Sequence, residues 1–154
     1  MKETDVQKHF LKYKKTLIKK HGRKALDNFQ LEDAAKPVLK NKFLGVFPQD
    51  KVPISLGRTG YIIANTDKSG ESGTHWVGLY CTNKTVYVYD SFARETTSLL
   101  KILTKKLKGK KIRIVDSDRS DAEQYGNKSE ICGVLTLAWL FTAHDLGIRN
   151  AIKI

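Results

Sequence analysis

Apolar residues recur at helical spacing early in the chain, at Val6, Phe10, Tyr13 and Leu17, within a segment otherwise dominated by lysine. This predicts a basic amphipathic helix within residues 1–24, opened by a capping box of Thr4 and Gln7 and stopped at Gly22. A second helix is predicted from Asp27-Asn28 through Leu31 and Ala35, with Pro37 either ending it or starting another turn. Residues 43–53 carry large apolar side chains punctuated by Gly45, Pro48 and Pro53, and read as a connection that packs down on the domain. From Gly60 to Thr66 the pattern becomes a short, mostly buried strand, followed by a polar loop over 67–73.

Residues 75–92 read as a hairpin, because aromatic and β-branched residues fill both arms and Thr82-Asn83-Lys84-Thr85 supplies turn formers between them. Gly78 in the first arm leaves room for another element to come close. Beyond the hairpin, Thr96 or Thr97 caps a helix with Leu99, Leu100, Ile102, Leu103 and Leu107 inward and Gly109 at its end. Lys110 to Val115 alternates like a strand, and Asp116 to Glu130 reads as a long polar loop. Ile131 to Phe141 is apolar on all sides and opens a helix ending near Gly147, the pattern of a helix buried at the centre of a domain.

The hairpin register carries chemistry. Pairing Thr82 with Thr85 sets Cys81 opposite Val86, Leu79 opposite Val88 and Val77 opposite Asp90. His75 and Asp90 then share a face as diagonal neighbours roughly 7–8 Å apart at Cα, within side-chain reach. A carboxylate so placed holds an imidazole in one tautomer and stabilises its charged form. Cys132, at the start of the buried helix, is the candidate nucleophile, since the unsatisfied N–H groups and dipole of a helix start favour a thiolate. Gly133 beside it leaves backbone room for a substrate, and Gln124 in the preceding loop can donate an amide to a developing oxyanion, with the Cys132 backbone N–H as second donor. Taken singly, each residue has a plainer explanation in packing or turn formation; their order and placement together favour a site.

Other candidates are weaker. Cys81 shares a face with His75 but lies six residues along the strand, about 20 Å away, and reads as structural. His9 and His21 read as surface residues, and His144 beside Asp145 as a helix-end residue. The acids Asp116, Asp118 and Asp121 lack the glycine and terminal glutamate of a calcium loop, so no metal site is expected.

Composition narrows the class further. At 154 residues the chain fits a single domain with its own core. A charged N-terminus and the absence of a spanning apolar run predict a soluble, intracellular protein without membrane contact. Two cysteines make no disulfide framework. The net charge of +12 and the pI near 9.7 rest mostly on Lys8 to Lys24 and Lys101 to Arg113, which suits a polyanion. Sequence-independent, salt-sensitive DNA contact is therefore expected, with a solvated lysine-rich surface as the plain alternative.

Phe43-Leu44-Gly45-Val46-Phe47, Gly73-Thr74-His75-Trp76-Val77, Tyr87-Val88-Tyr89-Asp90-Ser91-Phe92, and Gln124 followed by Ile131-Cys132-Gly133 resemble the adenovirus-type cysteine proteases. That family belongs with the Ulp/sentrin-type deconjugating proteases, and the compact length is most similar to maturation proteases of virophages and polinton-like viruses. The resemblance implies an α+β, papain-like fold in which a central buried helix carrying the cysteine packs on a small mixed sheet carrying the histidine and acid. It implies a Cys132–His75–Asp90 triad, Gln124 as oxyanion donor and Trp76 as a wall of the substrate site. The implied activity is cleavage of viral capsid precursors at Gly-containing sites in the infected cell or virion, with no cofactor for the chemistry and DNA as a candidate activator. Asp90 stands where adenovirus proteases carry Glu, as in the deconjugating enzymes. A ubiquitin-like-modifier isopeptidase and a non-enzymatic, basic DNA-packaging protein are the alternative functions.

Overall fold

The computed structural model describes residues 3–23, 25–53, 59–65, 75–90, 97–106, 113–116 and 131–154. It is a mixed α+β structure built on one five-stranded sheet: β1 (Phe43–Pro48), β2 (Gly60–Asn65), β3 (Trp76–Cys81), β4 (Thr85–Tyr89) and β5 (Arg113–Asp116), in that spatial order. The outer pairs, β1 with β2 and β4 with β5, are parallel, and the inner pairs are antiparallel. Around it lie α1 (Glu3–His21), α2 (Asn28–Leu39), α3 (Thr97–Lys106), α4 (Cys132–Leu146) and the single turn α5 (Ile148–Ala151). No helix among the described residues is long and apolar enough to cross a membrane.

Period-2 alternation divides the strands between two cores. Tyr61, Ile63 and Tyr89 face α1, α2 and α4, while Ile62, Ala64, Val77, Leu79, Val86 and Val88 face the other way, against Leu103 of α3 and Val52. Lys106 of α3 donates to the carbonyls of Asp50 and Val52, tying that layer to the turn after β1. The helix expected to be central is α4, buried at every residue from Cys132 to Ala143. It stacks the Trp139 indole on the Tyr89 ring at 5.2 Å between centroids, and the Trp139 Nε1 donates to the carbonyl of Ala151.

The glycine at position 78 is where α4 meets the sheet. A β-carbon there would stand 3.2 Å from Thr136 Cγ2, 3.4 Å from Trp139 Cε3 and 3.5 Å from Leu140 Cδ2. Gly78→Val is therefore expected to overpack the helix–sheet contact and destabilise the fold by about 1–3 kcal/mol. Urea unfolding of the two proteins measures it.

Three expectations need correction. Residues 43–48 form an edge strand rather than a loop: the register shifts between Phe43 and Gly45, whose φ of +131° breaks the alternation that marks strands in sequence. Thr4 lies inside α1, which takes in Glu3, so it is not the residue before the first turn. Asp116 is the last residue of β5 rather than the first of a loop. Several other local signals hold, whereas Thr96, Leu107, Gly109 and the polar stretches 67–73 and 117–130 lie outside the described residues. The apolar stripe of α1 is inward at Val6, Phe10 and Leu17, and Gly22 closes that helix with an N–H to the carbonyl of Ile18. Asp27 caps α2 in a reciprocal capping box with Gln30. Pro37 sits in the last turn of α2, which continues to Leu39.

Candidate active site

The β3–β4 turn sets the register. Thr82 N–H donates to the Thr85 carbonyl at 2.8 Å, and the Thr82 hydroxyl oxygen accepts from the N–H groups of Lys84 and Thr85. Cys81 then faces Val86, Leu79 faces Val88 and Gly78 faces Tyr89, as the pattern predicts. His75, just before β3, and Asp90, just after β4, emerge at the same end of the sheet. His75 Nε2 and Asp90 Oδ1 are 2.5 Å apart, with both residues buried.

Cys132, the first residue of α4, arrives at that end from the opposite direction in the chain. Its sulfur accepts from the Trp76 main-chain N–H at 3.4 Å, which sets it beside His75, the residue before Trp76. Burial by itself pushes the imidazole pKa down. The hydrogen bonds and charges of Asp90 and Cys132 outweigh it and hold the ring at about 9, above the ordinary 6.5. With Nε2 taken by Asp90, proton exchange with the thiol falls to Nδ1.

The arrangement has the parts of nucleophilic catalysis: a sulfur, a ring that can hold its proton and a carboxylate that keeps the ring charged. The structure thus brings together His75, Asp90 and Cys132. Gln124 lies outside the described residues, as do Ser91 and Phe92.

Trp76 is half-buried beside the cysteine, and its Nε1 donates to the Leu26 carbonyl at 2.9 Å. Gly133 is packed rather than open. A side chain there would meet Leu31 Cδ2 at 3.3 Å, Leu26 Cβ at 3.4 Å and Trp76 Cδ1 at 3.5 Å, so the room read as space for a substrate is filled by the protein itself. Leu26 and Leu31 flank the Asp27 cap at the positions of a hydrophobic staple, which fixes α2 against this spot.

Cys81 is on the far core, and burial pushes its thiol up to about 12. His9 and His144 both meet Asp145, which also accepts from the Tyr13 hydroxyl and is held below the usual carboxylate range by these bonds despite its partial burial. This cluster joins α1 to the end of α4, away from Cys132. Among the described residues no group of three His, Cys, Asp or Glu side chains could hold a metal.

Two buried polar residues passed unremarked in the sequence. Asn65 ends β2 opposite Trp76 and Pro48, and Gln49 follows Pro48, so both lie at the same end of the sheet as His75 and Asp90. An amide closing the apolar run Gly60-Tyr61-Ile62-Ile63-Ala64 is the signal that marks Asn65. Compared with known families and curated proteins, the chain matches none.

Proposed function

We propose that this chain is a cysteine endopeptidase with Cys132 as nucleophile, His75 as acid–base group and Asp90 as the carboxylate that orients it. One observation carries the reading: a buried imidazole, held charged to about pH 9, between a buried carboxylate and a cysteine at a helix start. In this mechanism the thiol proton resides on His75 and the sulfur attacks the peptide carbonyl. The imidazolium gives its proton to the departing amine, leaving a thioester. Water, deprotonated by His75, then releases the acid and restores the thiol. The Cys132 N–H and the Gln124 amide are the proposed oxyanion donors.

The sequence resemblance supports the finer reading: a papain-like fold of the adenovirus and Ulp type, acting inside infected cells on viral capsid precursors at Gly-containing sites. The +12 charge supports DNA as an activator. Trp76 serves as a wall of the substrate site.

The test compares wild type with Cys132→Ala on Gly-containing peptides, capsid precursors and ubiquitin-like conjugates, each with and without DNA at low salt. Cleavage of precursors by wild type alone is expected, faster with DNA. Turnover of conjugates but not precursors makes the protein an isopeptidase. Equal activity in Cys132→Ala overturns the mechanism, and DNA binding with no hydrolysis makes it a packaging protein.

A further inference from the structure

Three tethers converge on Trp76. Its main-chain N–H meets Cys132 Sγ at 3.4 Å, its carbonyl accepts from the Thr136 hydroxyl at 3.2 Å, and its indole N–H meets the Leu26 carbonyl at 2.9 Å. Cys132 and Thr136 are four residues apart on α4, so one face of the helix grips the peptide groups on both sides of Trp76. The third tether comes from a different element, the stapled start of α2, and Gly133 lets the ring lie against the helix. A residue whose main chain and side chain are both anchored cannot drift, and neither can His75 beside it.

We propose that the Trp76 main-chain N–H is a fixed donor to the reacting sulfur of Cys132, and that the indole, anchored on the Leu26 carbonyl, is the positioning group that keeps it there. The inference rests on the protease reading only for its consequence in catalysis. A hydrogen bond to a charged sulfur is stronger than one to a neutral thiol, so this donor favours the ionised, nucleophilic form. α2 thereby becomes part of the support of the site, although it carries none of the triad.

The experiment is the rate of Cys132 alkylation by iodoacetamide from pH 5 to 10, in wild type, Trp76→Phe and Thr136→Val, with thermal unfolding as a check on folding. Trp76→Phe keeps an aromatic ring but loses the indole donor, and Thr136→Val keeps shape but loses the hydroxyl. Each is expected to slow alkylation at pH 6, by about five- to tenfold for Trp76→Phe and about threefold for Thr136→Val, the rates converging with wild type at the alkaline plateau. Unchanged rates at pH 6 in the folded variants overturn the proposal. So does a change of equal size at every pH, which reports access to the sulfur rather than its ionisation. Should Trp76→Phe not fold, Thr136→Val decides by the same two outcomes. Alkylation needs no substrate, so a normal pH profile in a protein that cleaves nothing counts against the protease reading alone.

Discussion

His75→Ala is expected to lower peptide hydrolysis about 10³- to 10⁴-fold, because the variant has no group to take the thiol proton or return it to the leaving amine. Asp90→Asn should act in the same direction through the ring. An amide cannot hold the imidazole charged, so the alkaline fall in activity, expected near pH 9 in wild type, should move to lower pH. Rate–pH profiles of the three proteins on one peptide measure this. An unmoved alkaline limb in Asp90→Asn removes the orienting role.

The same pair leaves a mark on stability. The folded protein holds the His75 proton to about pH 9, whereas an unfolded imidazole loses it near 6.5. The stabilisation is therefore fully present below 6.5 and lost as pH rises through 9, on the order of 3 kcal/mol if the whole shift is realised. Urea unfolding at pH 6 and pH 9.5 should show wild type losing stability that His75→Ala does not lose. Parallel losses in both would refute the linkage.

Replacing Cys132 by serine should abolish hydrolysis, whereas Cys81→Ala should leave the rate within about twofold of wild type. The two thiols differ in surroundings rather than in exposure, since both are buried. Cys81 lies among Ile62, Leu79 and Val86, and its thiol is pushed up to about 12, so it is inert at neutral pH. Cys132 has the His75 ring and the Trp76 N–H beside it. Mass spectrometry of native protein after brief iodoacetamide treatment should find one adduct, on Cys132. Equal labelling of Cys81 would show that the environments do not discriminate.

The stapled start of α2 packs against the helix that carries Cys132. Leu26 and Leu31 reach Gly133 from one side while Trp76 reaches it from another. A β-carbon after the cysteine would press on Leu31, so packing within the fold favours a small residue there. Substrate room beside the sulfur must come from a direction that these three residues do not fill.

What the sequence determined is the set of features governed by local geometry. Strand alternation and the Thr82–Thr85 turn are enough to fix the hairpin register, and a fixed register is enough to put His75 beside Asp90. The largely apolar run from Ile131, interrupted only by Thr136 before Phe141, likewise points to a buried helix, and the first residue of that helix is the cysteine. Tertiary structure decided the rest. Trp76 and Cys132 are 56 residues apart, and only the seating of α4 over Gly78 brings the sulfur to the histidine. The strand at 43–48 was illegible because Gly45, Pro48 and Pro53 punctuate the stretch like a loop and its partner is parallel, so no hairpin turn marks the pairing. The anchoring of Trp76 by Leu26 was equally hidden, since a carbonyl acceptor exists at every residue and nothing local says which one a distant indole will find.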